Sequence, residues 1–97
     1  MNSYALQYTL FFKRKFNKLE KSGRVSLKLL GEITELLRAN PFNPTLKTHK
    51  VNSPKFGKVW SSKLDADLRL IWNFEDENKI KIFVLDIGGH SGFKRVY

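Results

Sequence analysis

Ninety-seven residues make one domain, and a chain of this size buries roughly 60–65% of its unfolded surface in a single modest core. It has no cysteine, which excludes a disulfide scaffold and a thiolate zinc site and fits a reducing cytoplasm. Its net charge is +9, with thirteen of the eighteen Lys and Arg in residues 1–64 against three acids there, so a polyanion or an acidic protein is the expected partner.

Tyr4, Leu6 and Tyr8 alternate with Ala5 and Gln7 and predict a first strand. Thr9 is placed to cap a helix whose apolar face is Phe12, Phe16 and Leu19. "SGR" at 22–24 breaks that helix, and Ser22 is the expected cap of a second. Val25, Leu29, Leu30, Ile33, Leu36 and Leu37 recur at helical spacing along the second helix. It stops at "ANP", because the residue before Pro41 resists the α region. Residues 40–57 hold all three prolines and no acid, and read as a long basic loop. Three strands follow: Val59 to Leu64, Asp67 to Phe74, and Lys79 to Ile87, with "EDEN" (75–78) as a hairpin turn. The expected class is α+β, in the order β-α-α-β-β-β: a helical hairpin on one face of a small antiparallel twisted sheet, spanning 1–97 as a single domain.

No apolar run approaches the ~20 residues that a membrane span needs. In the opening "MNSYALQYTLFFKRKFNK" the cations follow the apolar stretch, the reverse of a secretory signal. The expectation is a cytoplasmic protein with no membrane partner. Two histidines, His49 and His90, are too few for a structural metal site without several carboxylates, so neither metal nor cofactor is expected.

Alternation on the strand at 67–74 puts Leu68, Leu70 and Trp72 toward the helices. Asp67, Arg69, Ile71 and Asn73 then face the other way, onto an uncovered sheet face. An arginine mid-strand beside an acid either finishes a surface by pairing with Asp67 or Asp65, or serves a ligand. The closing stretch "LDIGGHSGFKRVY" (85–97) runs from a buried strand through two glycines into His90, then Phe93, Lys94, Arg95 and Tyr97.

The ordering, with "VWSSKLDADLRLIW" followed by "IFVLDIGGHSGFKRVY", resembles the RelE/ParE toxin superfamily, and within it the RelE/YafQ-type ribosome-dependent mRNA interferases. The likeness runs over essentially the whole chain. It implies a helical hairpin against a twisted sheet, entry into the ribosomal A site, cleavage of the mRNA there, and silencing by an acidic antitoxin that wraps the toxin. Carried over residue by residue, His90 matches the histidine that YafQ-like members place after the last strand. Asp67 sits where they have a catalytic-site acid, and Arg69 where RelE- and YoeB-like members keep an arginine for the scissile phosphate. His49 matches a second YafQ-type histidine. Two positions depart from the pattern. Leu68 stands where YafQ-like proteins have tryptophan, and Lys94 stands at the usual aromatic position, with Phe93 and Tyr97 on either side.

Chemistry gives these residues roles that do not depend on the likeness. Cleaving RNA through its own 2′-hydroxyl needs a base for that hydroxyl, cations for the phosphorane charge and an acid for the 5′-oxygen. Histidine is the natural acid or base near neutral pH. The candidate catalytic residues are His90, Asp67, Arg69, His49 and Tyr97. Lys47, Lys50, Lys55, Lys58 and Lys63 would hold the RNA backbone, with Lys94 and Arg95. Trp60, Phe93 or Tyr97 would stack on a base. Two other readings stay open: a ParE-like toxin acting on DNA gyrase without nuclease activity, and a non-enzymatic RNA-binding module.

Overall fold

The structure, a computed structural model, describes residues 3–75 and 80–89. In chain order it has β1 (Ala5–Tyr8), α1 (Leu10–Lys21), α2 (Leu27–Ala39), a 3-10 turn (Pro44–Leu46), β2 (His49–Ser53), β3 (Gly57–Lys63), β4 (Leu68–Phe74) and β5 (Lys81–Gly89). The strands form one sheet in the order β1-β5-β4-β3-β2. The expected two helices on a small sheet are present. The sheet is mixed rather than antiparallel, because β1 runs parallel to β5 with Leu6 opposite Ile82.

Thr9 joins the first two elements. Its hydroxyl accepts from the Phe12 N–H at 3.0 Å, capping α1, and donates to the Leu85 carbonyl at 3.1 Å. That carbonyl lies at a β-bulge: Ile71 pairs with Asp86 and Trp72 with Val84, so Leu85 has no partner across the ladder. The cap thus satisfies one helix donor and one bulge acceptor together.

α1 ends in a Schellman motif. The Gly23 N–H donates to Glu20 O and the Arg24 N–H to Leu19 O, with Gly23 at φ +78°. Ser22, expected to cap α2, is instead the C-cap of α1, with its hydroxyl on Leu19 O. The cap of α2 is Ser26, which accepts from the Leu29 N–H at 3.0 Å. The left-handed glycine needs its own residues between the helices, which pushes the second start downstream.

The main core lies between the helices and one sheet face. Phe12, Phe16, Leu30 and Leu37 meet Leu68, Leu70, Trp72, Ile82, Val84 and Ile87 there. Each fully buried apolar side chain of this size contributes about 1.5–3 kcal/mol. The reverse face is not bare, contrary to expectation. Val59 and Ile71 are buried on it, with Val51, Phe56 and Leu85 packed around them. Phe11 of α1 reaches Phe56 edge-on at 5.8 Å between ring centres.

The expected loop at 40–57 is largely ordered. Asn43 caps the 3-10 turn, Leu46 is fully buried, and His49–Ser53 forms an extra edge strand paired with β3. Buried hydroxyls tie this segment to the sheet. Trp72 Nε1 donates to Ser62 Oγ at 2.8 Å, and Ser62 in turn meets Thr48 Oγ1 at 2.7 Å. The Thr48 proton goes to the Pro41 carbonyl at 2.6 Å.

Candidate active site on the reverse sheet face

Register decides which candidate residues share a face. His49 pairs with Ser61, Ser61 with Ile71, and Ile71 with Asp86. Two residues further along the strands, Lys63 pairs with Arg69 and Arg69 with Gly88. Paired residues point to the same side, so these two rows stand together on the reverse face. From His49 to Arg69 is two strands across, about 10 Å, and two residues along, about 7 Å.

Arg69 and Lys63 are directly opposed cations, both half-buried, and neither makes an ion pair with a described residue. Opposed like charges on a sheet are destabilising. Arg69 Nη1 donates to the backbone carbonyls of Asp65 at 2.9 Å and Leu68 at 3.1 Å. Nε and Nη2 bond to no described residue. Gly88 brings no side chain to the other flank of Arg69. The arrangement is a fixed guanidinium fork beside an ammonium, a fit for a phosphate.

His49 is exposed at the start of β2, with Nδ1 3.0 Å from the Lys47 carbonyl oxygen. Ser61, its cross-strand partner, is fully buried, and its hydroxyl has no hydrogen-bond partner among the described residues. Asp86 is 5% exposed and takes Lys15 Nζ at 2.6 Å and the Ile87 N–H at 2.8 Å on the same oxygen.

Asp67 is not part of this group. Its carboxylate is exposed and takes Arg24 Nη2 at 2.7 Å, while Asp65 takes Arg24 Nη1 at 3.2 Å. These contacts raise the affinity of the Arg24 guanidinium for its proton, the Asp67 bond most. For Asp65, partial burial opposes ionisation. The N–H donors of Leu68 and Asp67, with Arg24, outweigh it and hold the carboxyl below the usual range.

The lysines expected on RNA divide between the two faces. Lys50 and Lys58 lie on the helix side with Trp60, since Lys50 pairs with Trp60 and Asn52 with Lys58. The Lys50 ammonium sits 4.8 Å over the Trp60 ring. Trp60 itself packs on Trp72, its ring 6.0 Å away, so it is core-bound and turned away from Arg69. Lys55 sits 4.6 Å over Phe11 beside the smaller cluster. His90, Phe93, Lys94, Arg95 and Tyr97 lie outside the described residues, as does most of "EDEN". Among the described residues no group of three or more His, Asp or Glu converges as a metal ion would need. None of their helices is long and apolar enough to cross a membrane.

Sequence reasoning missed Arg24, Ser61 and the Lys15–Asp86 pair. Ser61 was within reach: "THKV" and "KVWSS" flanking the turn-rich "NSPKFG" is a hairpin pattern, and its register puts Ser61 against His49.

No protein-family model matches the chain, and no curated protein does. Solved structures do. A metal-bound toxin from Helicobacter pylori superposes with a TM-score of 0.70 at 23% identity, over 90% of this chain and 94% of its own. YafQ in the E. coli DinJ–YafQ toxin–antitoxin complex superposes at 0.66 and 18%, over 91% and 93%. The archaeal RelE–RelB complex from Pyrococcus horikoshii OT3 gives 0.67 and 14%, over 92% and 97%. The likeness is one of fold, and it bears out the RelE-like architecture expected from the sequence.

Proposed function

We propose that this chain is the toxin of a type II toxin–antitoxin pair, and that it cuts mRNA on the translating ribosome through the RNA's own 2′-hydroxyl, without a metal ion. The observation that carries this reading is the Lys63–Arg69 pair, which no described acid neutralises, on the face that also holds His49. The shared fold with YafQ and RelE supports it.

In this reading Arg69 and Lys63 hold the non-bridging oxygens of the scissile phosphate and offset the charge of the phosphorane. One imidazole takes the 2′-hydroxyl proton as the O2′–P bond forms. The other gives a proton to O5′ as the P–O5′ bond breaks. The products are a 2′,3′-cyclic phosphate and a 5′-hydroxyl. His49 and His90 share these two tasks. Asp67 must leave Arg24 before it orients an imidazole. Phe93 or Tyr97 stacks on a base, and Lys47, Lys55, Lys94 and Arg95 hold the strand. The ribosome supplies orientation, so naked RNA is cut poorly.

The partner is an acidic antitoxin. A segment covering Lys50, Lys58, Lys63 and Arg69 together crosses the β2 edge, because the first two lie on one face and the last two on the other.

The test is primer extension on a reporter mRNA after induction, with and without translation. Cuts inside the reading frame that vanish when translation is blocked support the proposal. Intact mRNA with topoisomerase-dependent DNA breaks overturns it in favour of a gyrase-directed toxin.

A further inference from the structure

Lys47 has a backbone conformation that calls for a reason. It sits at φ +50°, ψ +40°, the left-handed region, and no other described non-glycine residue has positive φ. Lysine has no side-chain feature that favours this region, so its surroundings must impose it. They do so from both sides. Upstream, Asn43 Oδ1 caps the turn at 2.9 Å from the Thr45 N–H, Leu46 is fully buried, and the Lys47 N–H closes on Pro44 O at 3.2 Å. Downstream, Thr48 Oγ1 is fastened to Pro41 O and Ser62 Oγ. The chain must turn sharply between two anchors, and Lys47 makes the turn.

The turn brings the Lys47 carbonyl to His49 Nδ1 at 3.0 Å. A carbonyl oxygen only accepts, so the ring nitrogen facing it carries the proton. In the neutral ring Nε2 is then the basic nitrogen. We infer that Lys47 is a positioning residue: its left-handed backbone locks the His49 tautomer with Nδ1 protonated, and so makes Nε2 the base that takes the 2′-hydroxyl proton. The inference rests on the nuclease reading and divides its labour, leaving the acid to His90. Proton transfer turns His49 into an imidazolium, whose Nδ1–H still faces the carbonyl, so the same contact orients the ring before the step and stabilises its charge after it. The long segment between α2 and β2 thereby acquires a task, which is to present one imidazole in one tautomer.

The experiment has two arms. Nitrogen-15 NMR of the free wild-type protein reads the His49 tautomer with no ribosome present. The Nδ1-protonated pattern is expected, and an Nε2-protonated ring overturns the inference whatever the protein's activity. The second arm compares Lys47→Asn with Lys47→Val. Both lose the ammonium, so its contribution to RNA binding cancels. Asparagine accepts the left-handed region and β-branched valine does not. Lys47→Asn should keep the wild-type tautomer. Lys47→Val should show mixed tautomers and cut programmed ribosomes at least tenfold more slowly than Lys47→Asn, part of the ~10²–10⁴-fold that a positioned base contributes. Equal rates in the two variants, with a changed tautomer in Lys47→Val, overturn the catalytic part. Should Lys47→Val fail to fold, the wild-type spectrum alone still decides the tautomer. If the wild-type protein cuts no mRNA at all, the nuclease reading fails and the tautomer result stands apart from it.

Discussion

Arg24 Nη2 donates to Asp67 Oδ2 at 2.7 Å, and this turns the Asp67 carboxylate toward the link between the helices rather than toward Arg69. Arg69 answers instead to the Asp65 carbonyl. The two residues, two positions apart at the start of β4, therefore have separate partners in the free protein. Asp67→Asn is expected to slow single-turnover cleavage on programmed ribosomes less than tenfold, well under the ~10²–10⁴-fold of a positioned acid or base. A hundredfold loss would show that the carboxylate leaves Arg24 and works at the phosphate.

Lys63 and Arg69 face each other, and no described acid forms an ion pair with either. Lys63→Met removes one of two opposed charges and should leave the thermal melting point unchanged or raise it, because such a pair costs about 0.2–1 kcal/mol when unoccupied. The same substitution should weaken RNA binding and flatten its dependence on salt by about one phosphate contact. Arg69→Ala should harm both cleavage and RNA positioning, since the fork proposed to hold the phosphate is lost. Melting curves and a salt titration of binding check this. A clear drop in melting temperature for Lys63→Met would mean that the ammonium has a structural partner.

His90→Gln should abolish most cleavage, on the order of 10²–10⁴-fold, and leave ribosome binding in place. Glutamine keeps similar size and hydrogen-bonding capacity but exchanges no proton near neutral pH. The single-turnover rate, a melt and a binding assay separate the outcomes. Near wild-type cleavage would move the proton exchange to His49 alone. Lost cleavage with a collapsed melt would make the residue structural.

Asp65 gives the fold a sensitivity to acid. Its folded-state carboxyl titrates below the unfolded value because the Leu68 and Asp67 N–H groups and Arg24 outweigh the cost of burial. A depressed carboxyl contributes stability that is present above the unfolded value, near pH 4, and is lost as pH falls through the lower folded value. Asp65→Asn should therefore be less stable than wild type at pH 6, with the gap narrowing below about pH 4. Denaturant melts at pH 6 and pH 3 measure it. A gap that stays constant between the two would remove Asp65 from the acid response.

The sequence by itself determined the helices, the main core and the order of the last strands. Those features depend on periods of 3.6 and 2 that the chain carries locally: the Leu29 to Leu37 stripe, the Leu68, Leu70, Trp72 alternation and the stop before Pro41. It also determined the charge balance and the residue types available for RNA chemistry. The tertiary structure decided what depends on partners distant in sequence. β1 reads as a strand but not as a parallel one, because its direction relative to β5 follows from the helical hairpin and the three strands that lie between them in the chain. Asp67 and Arg69 look paired along the strand, yet a charge 43 positions away in sequence takes the carboxylate. Lys50 and Lys63 look alike in composition, yet register sends them to opposite faces of the sheet. His49 reads as a loop residue until β3 supplies the ladder that makes its segment a strand, and no local propensity marks a lysine for the left-handed turn that orients it. In each case the deciding energy is a hydrogen bond or ion pair made across the fold, which local sequence does not encode.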